Sequence, residues 1–105
     1  MTLPLTVDPR DAAHRTAGGA TFLLDVREPD EYAAARVSSA VLIPLADVAA
    51  RLSEIPKDRD VIVMCRSGRR SGEAQKLLMQ HGYTRVANLE GGILAWEDAG
   101  LDVER

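Results

Sequence analysis

Three short runs in this 105-residue chain are apolar at every position: Phe22-Leu23-Leu24, Val41-Leu42-Ile43 and Val61-Ile62-Val63-Met64. Successive side chains of a strand point to opposite faces of its sheet, so a strand covered on one face alternates apolar with polar residues. A run with no polar position is covered on both faces, as in a parallel sheet flanked by helices. Amphipathic segments separate the runs, so strand and helix alternate along the chain. The fold class is α/β. At this length the chain makes one domain, residues 1–105.

Local signals punctuate the pattern. Asp8 can cap a helix whose first position is Pro9, and Gly18-Gly19 stops it. Thr21 to Val26 reads as a strand, and Glu28-Pro29-Asp30-Glu31 opens a second helix with acidic residues where the helix dipole favours them. Leu45, Val48, Ala49 and Leu52 recur at helical spacing, which predicts a helix over residues 45–53. Ser71 to His81 places Ala74, Leu77 and Leu78 on one face and ends at Gly82. Arg85 to Leu89 is the last strand, followed by a helix from Gly92 to Ala99 with Gly100 as its stop.

In open α/β sheets ligands bind beyond the carboxyl ends of the strands. The clearest strand ends at Met64 and runs at once into Cys65-Arg66-Ser67-Gly68-Arg69-Arg70-Ser71, after which a helix begins. A cysteine alone reads as a small, inert core residue. A cysteine between a strand and a helix N-terminus sits instead where loop N–H groups converge, and Arg66, Arg69 and Arg70 add positive charge. Both favour the thiolate, which is the nucleophile. Gly68 lets the backbone turn around the sulfur. Singly, each arginine reads as a solvated side chain; clustered at a nucleophile, they form an anion site, with Arg70, nearest the helix, the favoured ligand.

Three blocks carry a resemblance. Asp25-Val26-Arg27-Glu28-Pro29-Asp30-Glu31-Tyr32, Val63-Met64-Cys65-Arg66-Ser67-Gly68-Arg69-Arg70-Ser71 and Leu89-Glu90-Gly91-Gly92-Ile93-Leu94-Ala95-Trp96, in this order, resemble the rhodanese-like domains in their single-domain form. The similarity runs from about Leu3 to Leu101. It implies a five-stranded parallel sheet with helices on both faces and a six-residue loop, Cys65 to Arg70, wrapped around the sulfur. Sulfurtransferases of the family have this loop; the related dual-specificity phosphatases and arsenate reductases have one a residue longer, wide enough for phosphate or arsenate. A phosphatase also typically has His where Met64 stands. The chain departs from the family at Ala35-Arg36-Val37-Ser38-Ser39-Ala40, where two glycines and a proline are usual.

The resemblance implies a two-step transfer. The Cys65 thiolate attacks the outer sulfur of thiosulfate, sulfite leaves, and a Cys65 persulfide remains. An acceptor then takes the sulfur: cyanide in an assay, a thiol or a partner protein in the cell. Cys65 is the catalytic residue. Arg66, Ser67, Gly68, Arg69 and Arg70 line the donor site, with Arg70 and Arg66 holding the anion and loop N–H groups stabilising the persulfide. Asp25, Arg27 and Ser71 support the site; the plainer reading of Asp25 and Arg27 is a surface ion pair worth little. Gly91 and Gly92 read chiefly as turn residues, Trp96 and Tyr32 as core aromatics, and His14 and His81 as surface or helix-end residues. No cofactor is called for, and one Cys with two distant His cannot make a tetrahedral zinc site.

The alternatives are a persulfide relay between partner proteins, a non-catalytic regulatory binding module and, at the margin, a cysteine-dependent phosphatase or arsenate reductase. A net charge of −3 gives no footprint for nucleic acid and no polybasic stretch for a membrane. A single cysteine excludes an internal disulfide. The N-terminus has no charged segment leading into an apolar one, so the expected location is the cytoplasm, with a monomer as the default.

Overall fold

The computed structural model describes residues 3–105. Five parallel strands, β1 (Thr6–Val7), β2 (Phe22–Asp25), β3 (Val41–Leu42), β4 (Val61–Met64) and β5 (Val86–Leu89), form one sheet in the order β1-β5-β4-β2-β3. Four α-helices accompany them: α1 (Pro9–Ala17), α2 (Pro29–Ala34), α3 (Arg69–Gln80) and α4 (Gly92–Asp98). No helix among the described residues is long and apolar enough to cross a membrane.

The helices begin where the chemistry of the caps directs. Asp8 accepts the Asp11 N–H at 2.8 Å and Pro9 occupies the first turn of α1. Glu28 and Glu31 make a reciprocal capping box at the start of α2, again with proline in the first turn.

The apolar runs of the central strands are divided between two cores. Val61, Val63 and Cys65 face one side of the sheet with Leu24, Ala74 and Leu78; Ile62 and Met64 face the other with Leu23, Ala12, Ile93 and Trp96. Helix α3 therefore covers one face, and α1 with α4 the other. All four side chains of β4 are fully buried. Burying one such side chain contributes about 1.5–3 kcal/mol, so β4 is the anchor from which the following loop is held.

Three expectations change. Strand β1 has no sequence run to announce it: two residues pair with Asn88 and Leu89 at the sheet edge. Strand β3 is the opposite edge, and Val41 is exposed despite its wholly apolar run. Residues 45–53 are not one α-helix but two short 3₁₀ segments, Leu45–Asp47 and Ala49–Glu54, with a non-helical break at Arg51. Burying Leu45, Val48 and Leu52 against the α3 side of the sheet sets that spacing, and tight turns satisfy it as well as an α-helix would.

The segment from Ala35 to Ala40 turns without glycine. Ala35 is extended, the Ala40 N–H donates to Val37 O at 3.0 Å, and Arg36 exchanges backbone hydrogen bonds with Glu104 at 2.9 and 2.7 Å. No non-glycine residue has a positive φ among the described residues, so the substituted glycines leave no strain behind.

The topology places the site. From β2 the chain steps outward to β3, then returns to form β4 on the other side of β2 and continues to β5. The loops after β2 and β4 diverge at this reversal, which opens a crevice at the carboxyl ends of the two central strands. Asp25 pairs in register with Met64, so Asp25 and Cys65 are brought to the same end of the sheet.

Candidate active site

The backbone leaves β4 at Met64 and wraps Cys65 before α3 starts at Arg69. Gly68, at φ +105°, is the turning point: its N–H donates to Cys65 Sγ at 3.1 Å. A side chain at that φ would be strained, so glycine is what lets this amide face the sulfur. On the far side the Ser71 hydroxyl lies 3.3 Å from Sγ. Cys65 itself is 1% exposed.

Burial pushes the Cys65 thiol up, but the Ser71 hydroxyl and the amides of Ser71, Gly68 and Ser67 pull it down and prevail. The thiol lies below its ordinary value of 9.0. Directed N–H and O–H groups, more than the arginine charges the sequence pointed to, favour the thiolate.

Ser71→Ala is accordingly expected to raise the Cys65 pKa. A rise of about half a unit to one unit cuts the thiolate fraction below the pKa roughly three- to tenfold. The single cysteine makes thiolate ultraviolet absorbance against pH a clean readout. A midpoint no higher than that of the unaltered protein would show that the hydroxyl does not stabilise the thiolate.

Two elements outside the loop brace it. At the start of α4 the Ile93 N–H donates to Cys65 O at 2.9 Å and the Leu94 N–H to Arg66 O at 3.3 Å. With the carbonyls turned towards α4, the loop amides are left to face the sulfur. Gly92, at φ +59°, packs so closely that a Cβ there would lie 2.4 Å from Arg66 O and 2.5 Å from Cys65 O. Gly92 therefore does more than serve a turn: it lets α4 dock on the loop, while a Cβ at Gly91 would meet only Ala95 of α4 itself. From β5, Asn88 donates its Nδ2 to Gly68 O at 2.9 Å and accepts the Ser71 hydroxyl on Oδ1 at 2.6 Å.

The sequence candidates are distributed unequally. Arg66, Ser67 and Arg69 are exposed at the mouth of the loop, and among the described residues neither Arg66 nor Arg69 has an acidic partner. Arg70, the favoured anion ligand from sequence, is instead held in a two-point pair with Glu31, at 2.6 and 2.9 Å. Hydrogen bonding to Arg70 holds the Glu31 carboxyl down at about 2, so the pair stays ionised. The charge of Arg70 is thus already met, and Arg66 and Arg69 carry the unpaired positive charge.

Asp25 and Arg27 are not the surface pair of the plainer reading. They are 0% and 3% exposed. Arg27 donates Nε and Nη2 to the Asp25 carboxylate at 2.8–3.1 Å, its Nη1 to Glu31 O at 3.3 Å and its Nη2 to Ala35 O at 2.8 Å. The pair ties the end of β2 to α2, and α2 presents Glu31 to Arg70. Neither residue hydrogen-bonds to Cys65, so their connection to the loop runs through Glu31. Trp96 is buried and Tyr32 half-buried, while His14 and His81 are exposed.

Sequence reasoning passed over Asn88 and Glu31. The available signal for Asn88 was an amide inside the otherwise apolar run Val86-Ala87-Asn88-Leu89, a position where a buried polar group needs a partner. Glu31 was read only as a helix-start residue, and its reach to Arg70 spans 39 residues of sequence.

Comparison with known proteins agrees with this architecture. Residues 8–99 match the family model of the rhodanese-like domain. A protein of Allochromatium vinosum named "Sulfurtransferase" is 46% identical over 98 residues, covering 92% of each chain. Among solved structures, a rhodanese-like domain from Anabaena superposes with a TM-score of 0.87 at 28% identity, over 97% of this chain and 80% of that one. A rhodanese-related protein from Thermoplasma volcanium gives 0.85 at 28% identity, over 96% and 98%.

Proposed function

The chain belongs to the rhodanese-like domain family, and from that premise we propose that it is a sulfurtransferase that carries sulfane sulfur as a persulfide on Cys65. The observation that carries the reading is the set of donors around Sγ: the Gly68 amide at 3.1 Å, the Ser71 hydroxyl at 3.3 Å, and the remaining loop amides that hold the thiol below its ordinary value. The relative named as a sulfurtransferase supports the same class of chemistry.

Thiosulfate is the proposed donor. Its sulfonate would meet Arg66 and Arg69, exposed at the loop mouth and free of acidic partners among the described residues, while its outer sulfur approaches Cys65. The Cys65 thiolate forms a bond to that outer sulfur as the sulfur–sulfur bond to sulfite breaks, and the electron pair leaves with sulfite. The negative charge now sits on the outer persulfide sulfur, where the loop amides act as an oxyanion hole does. An acceptor thiolate or cyanide attacks this sulfur, and Sγ departs as the thiolate. No proton is needed for either bond change, in keeping with a site that surrounds the sulfur with hydrogen-bond donors. Arg70, paired to Glu31, secures α2 against the start of α3.

The test is the intact mass of the protein after incubation with thiosulfate, beside a Cys65→Ser control. The expected result is a gain of one sulfur that is absent from the control and removed by cyanide. Failure to load from thiosulfate, with loading from a partner persulfide, would favour a relay between proteins. Failure with both would remove the catalytic reading.

A further inference from the structure

The Ser71 hydroxyl has one proton and two claimants. Asn88 Oδ1 lies 2.6 Å away and Cys65 Sγ 3.3 Å away. The Asn88 amide has no freedom to yield: its Nδ2 donates to Gly68 O at 2.9 Å, which fixes Oδ1 as the end that faces Ser71. With the Ser71 proton directed at Asn88, the hydroxyl offers Sγ a lone pair. That arrangement suits a thiol, which donates its own S–H, and does not suit a thiolate, which needs a donor.

We propose that Asn88 is a positioning residue for the transfer reaction: it holds the Ser71 hydroxyl proton away from Cys65 while Sγ is a thiol or the inner sulfur of a persulfide, and yields it when Sγ is a thiolate. The consequence follows the two half-reactions. In the persulfide the charge has moved to the outer sulfur, the inner sulfur is a weak acceptor, and the Ser71 proton rests on Asn88. When an acceptor such as cyanide attacks the outer sulfur, the bond between the two sulfurs breaks and its electron pair returns to Sγ. As charge grows on Sγ, the Ser71 O–H swings from Oδ1 to the sulfur. The hydroxyl thus stabilises the leaving thiolate in the discharge step, at the expense of its bond to Asn88. Neither half of the switch requires the backbone to move.

Of the other charged groups near Cys65, Arg66 and Arg69 stand exposed at the loop mouth, and the rest are committed to partners. Arg70 on α3 is held by Glu31 on α2, and Asp25 at the end of β2 is held by Arg27. They remain in place when Asn88 is altered.

This inference rests on the sulfur-transfer reading for its role, but its geometry is testable without any transfer. Thiolate ultraviolet absorbance against pH is measured for the unaltered protein, Asn88→Ala, Ser71→Ala and the double variant. Asn88→Ala releases the hydroxyl to the sulfur and is expected to lower the midpoint by about half a unit, roughly a threefold gain in thiolate. In the Ser71→Ala background the same substitution is expected to shift nothing, because no hydroxyl remains to be released. A clamp that acted only by bracing Gly68 O would raise the midpoint, and equally in both backgrounds; that result overturns the proposal. Asn88→Leu also removes Oδ1 at nearly the same size and is expected to lower the midpoint in the same way, so a poorly folded Asn88→Ala still leaves a decisive variant. Asn88→Leu at or above the midpoint of the unaltered protein would also overturn it. On a persulfide loaded beforehand, Ser71→Ala is expected to slow discharge to cyanide several-fold. Unchanged discharge with shifted midpoints would remove the switch from the reaction while leaving sulfur loading intact.

Discussion

Gly92→Ala is expected to lower sulfur transfer by about a hundredfold or more while the far-ultraviolet circular dichroism stays native. Two causes add. At φ +59° an alanine is strained by roughly 1–2 kcal/mol. Its Cβ would also lie 2.4 Å from Arg66 O and 2.5 Å from both Arg66 C and Cys65 O. These are backbone atoms of the active-site loop, with no flexible end to swing aside. Either α4 withdraws, breaking the Ile93 and Leu94 hydrogen bonds to the loop carbonyls, or the loop is pushed inward on its own sulfur. Displacements of about 1 Å at a reacting centre cost on the order of a hundredfold in rate. Gly19→Ala is the control, because Gly19 has φ +77° and open space around the added atom. It is expected to lose a similar increment of stability and no activity. Near-normal transfer by Gly92→Ala would show that the docking of α4 is not what holds the loop amides in place.

The second large effect concerns stability. Arg27→Met removes the charge that balances Asp25 inside the protein, leaving a fully buried carboxylate with only the Arg27 N–H as donor. Stranding one member of a buried pair costs about 3–5 kcal/mol. The whole fold of such a domain is stable by about 5–15 kcal/mol, so the variant is expected to be near the edge of folding. On the usual scaling, melting falls by at least about 12 °C. The double variant Asp25→Leu/Arg27→Met is expected to recover most of that loss, because apolar residues of similar size replace both charges. Breaking the exposed Arg85–Asp60 pair with Arg85→Met is expected to leave melting almost unchanged. Circular dichroism melts of the four proteins decide the matter: an Arg27→Met variant as stable as Arg85→Met would mean that the pair is solvated. In the double variant, α2 also loses the Arg27 bonds to Glu31 O and Ala35 O. Recovered stability with weakened sulfur loading would identify the pair as a support of the site through α2.

Much of this molecule was legible before the structure. The helix starts at Asp8-Pro9 and Glu28-Pro29 and the stop at Gly18 are local events, set by which neighbouring groups can satisfy free N–H and C=O groups. The wholly apolar run Val61 to Met64 reads as a strand covered on both faces, and its four residues are buried to the last atom. The failures have a common cause. Residues 45–53 and the run at Val41 carry helical or buried-strand patterns, but pattern records which side chains seek the core, not the backbone that delivers them. Strand β1 is two residues long, too short for any periodicity, and exists because β5 offers it an edge.

The amino-acid sequence by itself determined the α/β class and the position of Cys65 between a buried strand and a helix, because each depends on residues adjacent in the chain. Only the tertiary structure decided how the cysteine is tuned and what surrounds it. Asn88 reaches Ser71 across 17 residues, Glu31 reaches Arg70 across 39, and α4 turns its amides onto the loop it follows by one strand. The order of strands in the sheet creates those meetings. A carboxylate read as surface charge becomes a buried partner, and the arginine read as the anion's ligand is found paired to Glu31, because charge takes its meaning from the partner and the solvent that the fold assigns to it.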